Sequence, residues 1–492
     1  MIDPSCNSPG IFEAKLHNNN QKINKLPAEL LSRIFAIGKE LETDLGWARR
    51  MRSVWRIGIG FQGLVTVKSQ SYLIIEFFAD VARPSGHIYQ GVCGHWRSVA
   101  IGSPVLWTHI HIARHPPSRL VTLYISRSGI LPLDIDIDIR SQYWRESGIG
   151  LNDWANQVTH VPKLLKFLTS IGAGMNRWGS LSVQSNQPES LFEVISILSA
   201  EPAPILRSLH LLWRPYSDLM DSIEERSMEY PHLLGDPRPL SSLSLPNLRC
   251  MEAVLVPLHF VLDRPLPLLT GLTSLEITAA TRLPSVRGLQ QLLSANPQLQ
   301  YLYLNSTFGS YYISEHPSPP AQLLNLHHLS IESGVYTSWA QDVLLMIEAP
   351  CLNKFALSTL TPNNEMVDIL KYISTGALPR ANKSRTYIDT RVPNKPIYPA
   401  LCELDVSGLA GLNSVVADMC SSFSLVTHLS IASSQGEILT RVPWVLPDLE
   451  FVTAKDYHFN SDLENIVHRR RSAGLPIQAI KPPIRTSFPP RN

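Results

Sequence analysis

Asp134, Asp136 and Asp138 alternate with Leu133, Ile135, Ile137 and Ile139, a spacing that puts carboxylates on one face of a strand and apolar side chains on the other. Carboxylates in a row attract cations. A strand spreads them too widely, however, and supplies no glycine turn to wrap calcium, so a solvated face is the better reading. His109, His111 and His115 add imidazoles, but there is no H-E-x-x-H and Pro116-Pro117 prevents a helix from gathering them round a metal. Gly58, Gly60 and Gly63 match G-x-G-x-x-G as a string. The β-favouring Leu64-Val65-Thr66-Val67 that follows offers no helix N-terminus for a pyrophosphate. Arg469-Arg470-Arg471 reads as cationic charge at a helix C-terminus beside a solvated tail rather than as an anion-binding patch. No G-x-S-x-G, Walker loop or Cys-His signature occurs. The expectation is a chain with no catalytic centre, no cofactor and no metal.

The elements tell more than the isolated residues. A unit L-x-x-Φ-x-Φ, with Φ apolar, starts at Leu206, Leu248, Leu272, Leu299, Leu326, Leu352, Leu401, Val426 and Leu449. Most units are about 25 residues apart, and the two longer intervals read as an insertion at 215–246 and as a double unit with an unrecognised strand near 380–395. Between these strands lie helix candidates at 286–294, 339–347, 363–374, 412–420 and 462–471. Thr361-Pro362 reads as the start of the third. Strand, turn and helix repeated at this period predict an irregular leucine-rich-repeat solenoid, an α/β fold with parallel strands and outer helices. Upstream, strands are expected at 108–112 and 133–139 and a helix at 118–126. A weaker repeat unit is expected at Trp178, Leu181 and Val183.

Alternation along each repeat strand sends the third, fifth and seventh positions away from the leucine core. That face carries Glu276; Tyr301, Tyr303 and Asn305; His328 and Glu332; Lys354; Glu403 and Asp405. These residues are the expected target-binding set, with the tyrosines the most favourable contact area.

Near the start, Leu26-Pro27-Ala28-Glu29-Leu30-Leu31-Ser32-Arg33-Ile34-Phe35 places Leu30, Leu31, Ile34 and Phe35 on one stripe of a helix. Val92-Cys93-Gly94-His95-Trp96-Arg97-Ser98-Val99-Ala100 and Pro104-Val105-Leu106-Trp107 follow. These blocks resemble the F-box-like segment of fungal proteins, in which L-P-x-E-L-L-x-x-I-F precedes V-C-x-x-W-R-x-x-A and P-x-L-W. The resemblance implies a small helical unit that docks on a Skp-type adaptor, and through it on a cullin-RING ubiquitin ligase. Leu26, Pro27, Leu30, Leu31, Ile34, Phe35, Val92, Cys93 and Trp96 would make the adaptor-binding surface. The sequence departs from the family in the long segment between Phe35 and Val92.

The expected organisation is a disordered leader at 1–24, an F-box-like segment at 25–107 with an atypical insertion at about 41–90, a leucine-rich-repeat solenoid at 108–474, and an extended tail at 475–492. Charged residues are 17% of the chain and hydrophobic ones 44%, which indicates a folded protein. A formal charge of +2 gives no electrostatic reason to expect nucleic acid or an anionic membrane as partner. The six cysteines are scattered without a C-x-x-C pair and read as reduced thiols. With no basic, apolar leader and no run of about 18 apolar residues, an intracellular place, cytoplasmic or nuclear, is expected. The functional expectation is a substrate-recruiting F-box subunit. A repeat scaffold with a degenerate F-box is the alternative, and an enzyme ranks last.

Overall fold

The computed structural model describes residues 26–37, 94–113, 119–139, 154–213, 245–256, 269–278, 283, 285–306, 319–334, 336–377, 395–409, 411–455, 461–475 and 477–481. The leader, the insertion at 41–90 with Gly58, Gly60 and Gly63, Val92, Cys93 and His115 lie outside the described residues. The chain divides into two compact units, Met1–Val183 and Gln184–Asn492. That boundary falls inside the range that the repeat pattern assigns to one solenoid.

In the first unit, helix α1 covers residues 28–37. Pro27 stands just before it, and the Pro27 carbonyl accepts the Leu31 N–H at 3.1 Å. Helix α2 is Gly94–Ile101, followed by a 3-10 turn at Pro104–Trp107. Strand β1 (His109–Ile112), helix α3 (Arg119–Arg127) and strand β2 (Leu133–Asp138) come next. β1 and β2 pair in parallel with His109 opposite Asp134 and His111 opposite Asp136. Helix α4 (Trp154–Ser170) leads to β3 (Trp178–Ser185), the strand expected around Trp178, Leu181 and Val183. Ile135 and Ile137 are buried as the alternation requires, but Asp136 is buried too. The expectation of a solvated aspartate face fails there because a registered neighbour supplies a partner: His111 Nδ1 lies 3.0 Å from Asp136 Oδ2.

The second unit opens with helix α5 (Pro188–Ala200) and strands β4 (Ser208–Trp213), β5 (Cys250–Val254) and β6 (Ser274–Thr278). It continues through α6 (Val286–Ser294), β7 (Tyr301–Asn305), β8 (Ala321–Gln322), β9 (His328–Ser333), α7 (Thr337–Leu345), β10 (Ile347–Glu348) and β11 (Lys354–Thr359). Then come α8 (Asn364–Thr375), β12 (Glu403–Gly408), α9 (Asn413–Cys420), β13 (His428–Ile431), β14 (Phe451–Ala454), α10 (Ser461–Ser472) and β15 (Ala479–Lys481). The strands lie side by side in the order β4-β5-β6-β7-β9-β11-β12-β13-β14-β15, a long parallel sheet, while β8 and β10 pair separately. The fold is α/β.

The repeat pattern sets the register. Each strand from β4 to β14, β8 and β10 aside, starts two residues after the first apolar position of its unit, and every one of those first positions, from Leu206 to Leu449, is buried. Equivalent positions then face one another: Ser208, Cys250, Ser274, Tyr301, His328, Lys354, Glu403, His428 and Phe451 form one row. At the strand entries two consecutive N–H groups share one carbonyl of the preceding unit, as with Gln300 and Tyr301 on Thr273 O. The leucines on the other side of each strand are buried, as are helix positions such as Leu289 and Leu293 of α6 and Ile369 and Ile373 of α8.

Several expectations need correction. β11 pairs directly with β12, Lys354 opposite Glu403, so no further strand of the sheet stands between them, and residues 378–394, where the unrecognised strand was expected, lie outside the described residues. The cap of α8 is Asn363, whose Oδ1 accepts the Met366 N–H at 2.9 Å, and not Thr361. The first residues expected in the tail form β15, which pairs in parallel with β14. Among the described residues no helix is long and apolar enough to cross a membrane.

Candidate functional site

Helix α1 sorts its apolar residues into two adjacent stripes. Leu31 and Phe35, four apart, are fully buried. Leu30, Ile34 and Ile37, at i, i+4 and i+7, are 49%, 44% and 48% exposed. The buried stripe meets the second sequence block: the Phe35 and Trp96 rings lie 5.0 Å apart, and Ser32 Oγ lies 2.8 Å from Ser103 Oγ. His95 Nε2 approaches the Leu26 carbonyl at 3.4 Å. The two blocks thus pack together despite the long segment between them. Ser103 Oγ donates to Val99 O at 2.6 Å and Trp107 Nε1 donates to Ala100 O at 2.9 Å, which fixes the Pro104–Trp107 turn on the end of α2. Trp107 is then held edge-on by Tyr124 at 4.9 Å and covered by Arg127 at 4.4 Å, so α3 braces the turn. Burial pushes the Tyr124 hydroxyl well above its usual range, with Arg127 opposing.

Of the residues expected to bind an adaptor, Leu30 and Ile34 are exposed, Pro27 is exposed, and Leu26 and Trp96 are half-buried. Leu31 and Phe35 belong to the core, because a helix packed on one side must bury one stripe to hold its own fold. Ile101 and Val105, which the resemblance did not single out, are also exposed. Large apolar side chains left open on successive turns have a stronger claim as contact surface than any one of them alone.

The nine residues expected to bind a target all come to one face of the parallel sheet, in three registered rows. Tyr301, His328, Lys354 and Glu403 form the first; Glu276, Tyr303 and Asp405 belong to the second; Asn305 and Glu332 belong to the third. Their exposure differs from the expectation. Glu276, Tyr303 and Asn305 are buried, while Tyr301, His328, Glu332, Lys354, Glu403 and Asp405 keep part of their surface. The reason is spacing: strands about 4.8 Å apart on both sides let long side chains lie against one another and exclude water between them.

The first row is aromatic and neutral in sum. Tyr301 packs edge-on to His328 at 4.6 Å, His428 stacks on Phe451 at 4.5 Å, and Lys354 pairs with Glu403 at 3.0 Å. Burial, with Lys354 adding to it, holds His328 down at about 4, so it is neutral at pH 7. The second row is acidic. His210 Nδ1 lies 2.9 Å from Glu252 Oε2, Glu252 stands opposite Glu276, and Asp405 accepts from Lys455 and, at 2.7 Å, from Ser407 Oγ. Burial, with the Glu252 charge second, raises Glu276 to about 8. In the third row Asn305 Nδ2 donates to Glu332 Oε2 at 2.7 Å, and burial raises the Glu332 carboxyl above its ordinary value. Both tyrosine hydroxyls are pushed well above their usual range by burial and then by neighbouring carboxylates. Sequence reasoning missed His210 and Glu252, although both sit at the same unit position as Glu276 and extending the row would have found them.

Among the described residues no group of three His, Cys, Asp or Glu side chains could hold a metal ion. Cys250, Cys351, Cys402 and Cys420 are free thiols, and burial pushes Cys420 up to about 12. No family model matches the chain, and a search of curated proteins finds no relative.

Proposed function

We propose that this chain is a substrate-recruiting F-box-type subunit of a Skp–cullin–F-box ubiquitin ligase, with α1 and α2 docking a Skp-type adaptor and leucine-rich repeats arranged as a solenoid holding a target protein. The observation that carries the reading is the division of α1 into a buried stripe, Leu31 and Phe35, and an open apolar stripe, Leu30, Ile34 and Ile37. A helix that served only its own core would leave a polar outer face. The repeat strands support the second half of the reading: they give one broad face whose first row offers half-exposed aromatic and ion-paired side chains. The chain itself makes and breaks no bonds in this role. It raises the effective concentration of target lysines near the ubiquitin-charged enzyme.

The test is co-purification of the full chain with a Skp-type adaptor. Leu30→Ala/Ile34→Ala is expected to weaken adaptor binding by roughly 10-fold or more and to leave the thermal midpoint unchanged, since both side chains are open to water. Phe35→Ala is expected to lower that midpoint, because it empties the contact with Trp96. Adaptor binding that survives the Leu30/Ile34 double variant intact overturns the docking assignment, and a chain that binds a target but no adaptor is a repeat scaffold instead.

A further inference from the structure

Glu252 and Glu276 occupy opposite positions on adjacent parallel strands and point to the same face. Both are buried, at 8% and 7% exposure. Two carboxylates so placed repel each other where water cannot screen them, and the usual resolution is that one keeps its proton. Their partners decide which. Glu252 has His210 at 2.9 Å, which meets it with an Nδ1 proton as a neutral tautomer or as an imidazolium. Glu276 has no cation beside it among the described residues; its hydrogen-bond partner is the Tyr301 hydroxyl.

We propose that Glu276 is a carboxylic acid rather than a carboxylate in the folded protein, and that its ionisation is a switch on the β5–β7 part of the sheet face. Among the described residues, no cation faces Glu276 that Glu252 does not already engage. β4 contributes His210, already engaged by Glu252; β5 contributes Glu252 and Cys250; β7 contributes Tyr301 and Tyr303; and Glu332 of β9 stands beyond Tyr303. A second negative charge here has the Glu252 carboxylate on one side, Tyr303 on the other, and the Tyr301 hydroxyl as its hydrogen-bond partner among the described residues. It strains β7 at Tyr301 and Tyr303, the strand beside it. The inference concerns the sheet face alone and stands apart from adaptor docking.

The sign of the effect follows from linkage. The folded value lies near 8 and the unfolded value near 4.5, so between them the folded state binds the extra proton. Stability is full below the unfolded value and falls as pH rises through that window, levelling off above the folded value. Carbon-13 labelling of the glutamate side-chain carboxyl in the full chain reads the proton directly. One glutamate resonance is expected to titrate with a midpoint near 8 and to vanish in Glu276→Gln. In urea, the unfolding midpoint of the wild type is expected to fall between about pH 6 and about pH 9, and Glu276→Gln, which mimics the neutral acid, is expected to flatten that fall. Should Glu276→Gln fail to fold, Glu252→Gln serves: it removes the neighbouring charge and is expected to bring the late midpoint down by about one unit or more. The proposal is overturned if every glutamate carboxyl of the folded protein titrates in the ordinary range, or if Glu252→Gln leaves the late midpoint unmoved.

Discussion

Arg470 has no accessible surface, yet among the described residues no carboxylate pairs with its guanidinium. It donates instead to two main-chain oxygens, Val445 O at 2.9 Å and Leu446 O at 2.8 Å, and lies over the Trp444 ring at 5.4 Å. Leu446 has positive φ, so the chain there turns in a way that leaves those carbonyls facing inward with no strand partner, and the arginine fork fills the vacancy. Arg471 does related work on the far side, donating to Ile477 O at 2.7 Å and Gln478 O at 3.0 Å. All three arginines stand in the last turn of α10, as the sequence led one to expect, but Arg469 and Arg471 are exposed while Arg470 is buried. Arg470→Met leaves the Val445 carbonyl unpaired and Leu446 O with only the Leu449 N–H at 3.2 Å, and is expected to destabilise the protein by about 1–3 kcal/mol. Arg469→Met is expected to change stability by less than about 0.5 kcal/mol. Chemical denaturation of both variants separates them, and equal effects would show that the fork contributes nothing.

At the scale of elements, the apolar spacing made the strands legible, down to their pairing: a leucine two residues ahead of a strand marks the same depth in each unit, so units stack in phase. Helix α6 falls where its apolar period placed it. Legibility ends where an element is shaped by its neighbours. The Asn363 cap, the pairing of β11 with β12, and the burial of Asp136 and Glu276 all depend on which strand or turn lies alongside, and no local pattern records that. β12 shows the same limit. Asp405 pairs with Ala356 but Gly408 pairs with Ser358, so β12 carries one extra residue, a bulge. Gly408 closes it, since a Cβ there would sit 2.1 Å from Ser358 Cβ and 2.9 Å from Ser358 Cα. Gly408→Ala must push β11 and β12 apart and is expected to cost about 1–3 kcal/mol. Adding Ser358→Gly removes the nearer clash and is expected to recover part of the loss, a coupling that a double-mutant cycle measures. If the double variant is no more stable than the sum of the singles predicts, the close approach is not the cause.

For the sheet as a whole, the order of strands implies how stability is distributed. Each strand of the second unit pairs only with its neighbours in the row, so an interior strand is held from both sides and an edge strand from one. β7 is interior: Leu302 and Leu304 are fully buried, Asn305 and Tyr303 are hydrogen-bonded to each other, and both β6 and β9 pair along its full length. β15 has three residues and pairs with β14 alone among the described strands. Beyond that ladder, the side chain that ties the β15 end down is Arg471 of α10, through Ile477 O and Gln478 O just ahead of the strand. Local opening is therefore expected to need least free energy at β15 and most around β7. Hydrogen exchange followed by mass spectrometry reads this directly: peptides covering Ala479–Lys481 are expected to exchange by local opening well before those covering Tyr301–Asn305. Arg471→Met is expected to quicken the first set and leave the second unchanged. Exchange at one common rate across both strands would mean that the sheet opens as a single cooperative body, and nearest-neighbour pairing would then fail as the account of its stability.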